Sequence, residues 1–382
     1  MAVAVICEFN PFHYGHRYLL GEAKRITGTE VLAVMSGSFT QRGEAAICSK
    51  FERAKTALEN GADLVLELPS AYAVANAERF AKGGVDTAKL FSCVEYLAFG
   101  CEDDDLELLT LAAFARDDEK VREIIAERMD GGDYYPRAYE YAVRQVFGDN
   151  IADVITKPNN ILAAEYIRAL DGSGIKPLPV KRKGADHDSD MTDGEYASAS
   201  YIRKLLRSGK DAGELLPEIP REITYPEKLD TALLYKLRNM TAEELRLLPD
   251  VGEGLENRII TAARSCPSVE ALIDEVKTKR YTRARICRIL TCALLGITEA
   301  LQNKEIRHAR VLGFTPDGEK MLKTCSGEIV TSVSKAMEKG GNTAELLAAD
   351  IRATDTLALA YGTIKPCSAD YLTKIIKVNS AK

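Results

Sequence analysis

No apolar run in this chain approaches the roughly 20 residues that a membrane-spanning helix needs, and none of its nine cysteines belongs to a C-x-x-C pair. The first absence leaves no candidate membrane span. The cysteines, at 7, 48, 93, 101, 266, 287, 292, 325 and 367, are odd in number and scattered. That argues against a disulfide framework and a structural zinc, and a reducing cytoplasm fits best. The apolar start MAVAVICEF lacks a basic n-region and meets Glu8 and Asn10 before any cleavage-like site, so it reads as a first strand rather than a signal. Internal repeats and biased tracts are also missing, which disfavours a solenoid. A strong excess of one charge is absent too: the formal net charge is −6, with 26 basic and 33 acidic residues up to position 210 and 25 and 24 beyond it. Binding of nucleic acid by bulk charge alone is thereby excluded, although a local basic face remains open.

What is present is a soluble globular composition, 46% hydrophobic and 28% charged over 382 residues, long enough for about two domains. The first half alternates short apolar runs with helical periodicity, the pattern of a parallel sheet flanked by helices. Strands are expected at 2–9, 31–36, 63–69, 94–100 and 176–182, with helices near 16–26, 50–60, 72–90, 104–148 in pieces, and 160–170. Ser49 and Glu52 form S-x-x-E ahead of Phe51, Ala54 and Leu58, which predicts a capping box and a helix start. Prolines crowd the segment from Leu216 to Pro226, and proline interrupts both helices and central strands. The expected division is therefore an α/β domain at 1–215 and a mainly helical domain at 216–382, with a smaller mixed piece from about 304.

The most informative run is Asn10, Pro11, Phe12, His13, Tyr14, Gly15 and His16, directly after the first strand and opening the first helix. In an open α/β sheet that is the ligand end. A helix N-terminus offers unpaired amides and a positive dipole end to phosphate, Gly15 permits close approach of a nucleotide, and two imidazoles can donate to developing charge at an α-phosphate. An isolated H-x-x-H would more often cap a helix or sit in a core. Its placement after strand 1 favours the phosphate reading.

H-Y-G-H in this position resembles the (H/T)xGH signature of the nucleotidyltransferase superfamily, which includes class I tRNA synthetases and cofactor adenylyltransferases. The superfamily's second signature resembles ISSTxxR, and S-A-S-Y-I-R at 198–203 is similar to it. Ala199 stands where the pattern would present a hydroxyl, leaving Ser198, Ser200 and Arg203 as triphosphate contacts; a Ser-capped helix with a solvated Arg is the competing account. Longer stretches narrow the match. M-S-G-S-F-T-Q-R-G-E at 35–44, L-E-N-G-A-D-L-V-L-E-L-P at 58–69, P-N-N-I-L-A-A-E-Y at 158–166 and K-R-Y-T-R-A-R-I-C-R at 279–288 resemble the bacterial tRNA(Met) cytidine acetate ligases.

That resemblance implies a cytoplasmic enzyme that activates acetate with ATP to acetyl-adenylate and passes acetyl to N4 of the wobble cytidine of elongator tRNA(Met), giving N4-acetylcytidine. His13 and His16 would be catalytic. Ile6, Cys7, Glu8, Phe9, Asn10, Pro11, Phe12, Tyr14, Gly15 and Leu19 would line the ATP site with Gly100, Asn159, Asn160, Arg182, Ser198, Ser200 and Arg203. Magnesium would accompany the triphosphate; no protein-ligated metal, membrane contact or protein partner is expected. Acetyl-CoA, already an activated thioester, would need no such α-phosphate machinery.

The residues bear their own readings beside it. Gly100, ending strand 4, leaves room for adenosine or is a plain turn glycine. Asn159 and Asn160 follow Pro158 at a helix start, where one serves as N-cap or both read the nucleotide. Arg182 ends strand 5, able to pair bidentately with phosphate or to sit in a solvated cluster with Lys181 and Lys183. Gln41 and Arg42 lie in the strand 2 loop, placed to close over substrate or simply to connect. Asp186, His187, Asp188 and Asp190 form a polar loop too weakly patterned to hold a metal. In the second half, Ile286, Ile289, Leu290, Ala293 and Leu294 form an apolar stripe, and Lys277, Lys279, Arg280, Arg283, Arg285 and Arg288 a basic face. No acidic residue interrupts 276–298, so the positive potential is locally uncompensated and suits an RNA backbone. Two rivals stand beside this reading: a small-molecule nucleotidyltransferase that makes a cofactor or lipid precursor, and a catalytically degenerate RNA-binding protein.

Overall fold

The computed structural model describes residues 1–183 and 196–379; Asp186, His187, Asp188 and Asp190 lie outside the described residues. Five strands, β1 (Ala2–Cys7), β2 (Glu30–Ser36), β3 (Leu64–Leu68), β4 (Val94–Cys101) and β5 (Lys176–Lys181), pair in parallel in the order β5-β4-β1-β2-β3. β1 and β3 are buried along their whole length, and burial on both faces is why they read as continuous apolar runs. Helices α1 (Tyr14–Thr27) and α2 (Lys50–Glu59) follow β1 and β2. The chain leaves β1 for β2 on one side and later places β4 on the other. The carboxyl ends of β1 and β4 therefore bound the switch-point crevice in which such sheets bind ligands.

The second half is helical up to Gln302, with a mixed piece after it. Helices Asp230–Arg238, Ala242–Arg246, Leu255–Ser265, Val269–Val276 and Arg283–Leu295 enclose a core of their own around Leu237, Leu245, Ile259, Ile286 and Ile289. The chain then returns to the first sheet. β6 (His308–Phe314) lies antiparallel on β3, and β7 (Glu328–Val330) and β8 (Ile376–Lys377) both pair with β6. Without β6 the edge of β3 would present unpaired amides and carbonyls. Residues 216–382 thus comprise a helical unit and a sheet extension. The proline-rich segment is likewise packed rather than free, with Thr224 donating its amide to the Ile47 carbonyl at 2.9 Å and its hydroxyl to that of Ala46 at 2.6 Å.

At the start of α2, Ser49 accepts from the Glu52 amide as expected. The Glu52 carboxylate does not close the box. It accepts instead from the Arg221 amide at 2.7 Å, so a tertiary contact displaces the local one.

Candidate active site

The turn from β1 into α1 is constrained. Phe9 has a positive φ of 48° and Asn10–Pro11 is a cis peptide bond. Phe9 and Phe12 are buried, and Asn10 accepts from the Ile47 amide at 2.7 Å. His13 is the N-cap of α1: its Nδ1 accepts from the Gly15 amide at 3.1 Å, while His16 Nδ1 accepts from the His13 amide at 3.2 Å. This is a capping box built from imidazoles. The helix cap is compatible with the phosphate reading, because each ring uses Nδ1 as acceptor, which fixes the neutral tautomer with Nε2–H as its donor. The rings stack with centroids 3.7 Å apart. Burial, with Arg182 and Arg203 adding repulsion, pushes His13 down to about 3. His16 is held well below its ordinary range by burial, His13 and Arg182. At neutral pH both are uncharged donors. Gly15 proves to serve the histidine first: a Cβ there would lie 2.9 Å from His13 Cε1.

The second signature meets the first. Ser198 caps the helix Ala199–Arg207, its hydroxyl 3.1 Å from that of Ser200. Arg203 donates to the Asn10 carbonyl at 2.9 Å and approaches the Glu44 carboxylate at 3.5 Å. From the other side, the Arg182 amide donates to the Cys101 carbonyl at 3.0 Å, and its side chain lies over Gly100, where a Cβ would come within 3.3 Å of Arg182 Cγ. Two guanidiniums thus converge on the histidines across the β1–β4 crevice.

Other expected contacts face inward. Ile6 and Cys7 are buried strand residues, the thiol donating to the Val34 carbonyl at 3.6 Å, and the partly buried Leu19 packs against the core beneath α1. Tyr14 is half-buried in the first turn of α1. Neither Asn159 nor Asn160 is the N-cap, which is Lys157. The buried Asn160 accepts from the amides of Glu102 and Asp103 at 2.9 and 3.2 Å and donates to the Asp103 carboxylate at 2.7 Å. Asn159 donates to Glu102 at 2.5 Å. The two asparagines shape the loop after β4 rather than presenting free amides. In the β2 loop the Gln41 amide donates to the Glu8 carboxylate at 2.6 Å and its side chain to the Ala75 carbonyl at 3.0 Å, while Arg42 is exposed. Burial pushes the Glu8 carboxyl up, opposed by that amide.

The basic face is not uncompensated. Arg283 pairs bidentately with Glu270 at 2.6 and 2.7 Å, Arg280 with Glu253 at 3.1 Å and Arg288 with Asp250 at 3.5 Å, and Arg285 donates to the Asp250 carbonyl. The acids come from neighbouring elements, outside the window that contains none. Lys277 and Lys279 are exposed.

Two buried cations of α2 escaped the sequence reading. Lys50 is wholly buried between Glu67 at 2.6 Å and Asp370 at 2.8 Å. Arg53 is buried against the carbonyl ends of β1 and β2. The signal was available, since Lys50, Arg53, Ala54 and Ala57 share one face of an amphipathic helix, where charges are out of place.

Donors held neutral at a helix start suit chemistry at a nucleotide's α-phosphate, and the class so defined is the nucleotidyltransferase; residues 1–370 match the family described as HIGH Nucleotidyl Transferase. Within that class the chain belongs to the tRNA(Met) cytidine acetate ligase family. It is 38% identical to the tRNA(Met) cytidine acetate ligase of Thermoanaerobacter sp. strain X514 over 98% of this chain and 99% of the relative, and 36% identical to that of Caldanaerobacter subterraneus subsp. tengcongensis over 99% and 100%. A crystal structure of Thermotoga maritima TmcAL in its apo form superposes with a TM-score of 0.90 at 30% identity, covering 99% of both chains. TmcAL bound with alpha-thio ATP gives 0.89 at 29% identity over the same coverage.

Proposed function

We propose that this protein is an AMP-forming ligase that joins acetate to N4 of the wobble cytidine in elongator tRNA(Met), through acetyl-adenylate, in the cytoplasm. The observation that carries the reading is the pair of Nε2–H donors fixed at the start of α1 by reciprocal capping. In the first step an acetate oxygen attacks the α-phosphorus and pyrophosphate leaves. His13 and His16 donate to the nonbridging oxygens as charge builds there, an interaction stronger in the transition state than in bound ATP. Arg182, Arg203 and the hydroxyls of Ser198 and Ser200 would hold the β and γ phosphates, and Gly100, having no side chain, makes room for the Arg182 side chain that lies over it. In the second step the cytidine amine attacks the acyl carbon, loses a proton and expels AMP.

Magnesium would arrive with the triphosphate. Among the described residues no group of three or more His, Cys, Asp or Glu is placed to hold a metal ion, and no helix is long and apolar enough to cross a membrane. For the tRNA backbone the exposed Lys277 and Lys279 are the best candidates on the helical unit, whereas Arg280, Arg283, Arg285 and Arg288 are committed to the protein's own carboxylates and carbonyls.

Acetate-dependent exchange of labelled pyrophosphate into ATP tests the first step without RNA. Wild type should catalyse it, and His16→Ala should lower the rate by about 10² to 10³ with a much smaller change in ATP affinity. Exchange that persists at the wild-type rate would remove the histidines from the chemistry.

A further inference from the structure

Arg53 is 1% exposed, yet among the described residues no carboxylate lies within ion-pair distance of it. Its guanidinium donates only to carbonyls: Nη1 to those of Glu8 at 2.5 Å and Ser36 at 3.0 Å, and Nη2 to that of Gly37. These carbonyls lie just where β1 and β2 end side by side, since Cys7 pairs with Met35. Removing a cation from water without a counter-charge is costly. Lys50, one turn away, shows the ordinary solution on the same helix, with two carboxylates around it.

What the grip accomplishes follows from peptide geometry. The Glu8–Phe9 bond is trans, and in a trans peptide plane the carbonyl and the amide point in opposite directions. A Glu8 carbonyl held by Arg53 therefore leaves the Phe9 amide pointing the opposite way, away from Arg53. Phe9 itself holds a φ of 48°, a conformation that a non-glycine residue keeps only where its surroundings impose it. The two histidines beyond it are neutral, so the site has no positive charge on its catalytic donors.

We propose that Arg53 is a positioning residue for adenylation: its fork holds the ends of β1 and β2 so that the Phe9 amide faces the α-phosphate, and its buried charge supplies positive potential beneath it. This rests on the adenylation reading above. The test compares wild type, Arg53→Met and Arg53→Lys in acetate-dependent pyrophosphate exchange, with ATP binding by equilibrium dialysis and thermal unfolding of each. Arg53→Met should lose about 10²-fold in kcat with its ATP Kd within about threefold of wild type. Arg53→Lys, which keeps the charge and loses the fork, should recover part of that loss. Should the Met variant fail to fold, the Lys variant decides, since a lowered kcat at unchanged KM for ATP supports positioning. Wild-type kcat in Arg53→Lys would overturn it, as would parallel loss of kcat, ATP binding and thermal stability in both variants. Absence of acetate-dependent exchange in wild type would instead overturn the adenylation reading, and this proposal with it.

Discussion

His13 does two jobs with two nitrogens, and they can be separated. Nδ1 caps α1, and Nε2–H is the donor proposed for phosphate. His13→Ala should lose both, about 1 kcal/mol of stability from the cap and about 10² to 10³ in exchange rate. His13→Asn, a good N-cap without the distant donor, should regain the stability and not the rate. Equal recovery of both, followed by chemical denaturation and exchange assays, would contradict the division. The buried histidines also make stability pH-dependent. His13 is pushed down to about 3 and His308, whose ring nitrogens have no hydrogen-bond partner among the described residues, to about 4, whereas an unfolded histidine titrates near 6.5. Between these values the unfolded chain binds more protons, so stability is full above about 6.5 and falls as the pH drops, by at most roughly tenfold in the folding equilibrium per pH unit for each group. His308→Leu should flatten this slope between pH 6.5 and 4; denaturant midpoints with an unchanged slope would argue against burial as the cause. H-Y-G-H was legible because it is contiguous. Asn160 and Glu8 were named through the resemblance, but their contacts were not legible, because the partners come from loops distant in sequence.

Elements were legible where their pattern is local. β1 to β5 match the apolar runs to within a few residues, and β1 to β3, buried on both faces, leave an unbroken signature. β6 was missed because its partner β3 precedes it by most of the chain, and no local period reports a pairing partner. α2 was placed correctly, and what it carries was not read: the helix brings Lys50 between Glu67 and Asp370. Glu67 lies against Gly37, where a Cβ would overlap its carboxylate. Lys50→Met would leave the buried Glu67 carboxylate without its cation and Asp370 with Arg310 at 3.7 Å, and should destabilise the protein by about 3 to 5 kcal/mol. A urea midpoint implying a loss below about 1 kcal/mol would show the network to be dispensable.

At the scale of the molecule, the strand 2 loop joins the site to the helical unit. Gly43 has a φ of +76° and would clash, if given a Cβ, with the backbone of Cys287 and Arg288 at 2.6 Å, and its carbonyl accepts from Thr291 at 2.7 Å. Gln41, two residues earlier, holds Glu8. Charge is distributed accordingly. Reversal at Lys277 and Lys279 should weaken tRNA binding, make its salt dependence shallower by about 0.9 in log–log slope for each phosphate that is no longer neutralised, and leave stability unchanged. Reversal at Arg283 would put two acids face to face at Glu270 and act on the fold as well. Identical salt slopes in wild type and the lysine variant would place the RNA elsewhere.

The central claim is that this site activates a free carboxylate through the α-phosphate of ATP. Incubation of the protein with ATP, labelled acetate and tRNA(Met), followed by quantification of every product, tests it most directly. AMP, pyrophosphate and N4-acetylcytidine are expected in equal amounts, with no product when acetate is omitted and no stimulation by acetyl-CoA. ADP and phosphate as coproducts, or acetylation from acetyl-CoA without ATP and acetate, would contradict it even if N4-acetylcytidine were still formed.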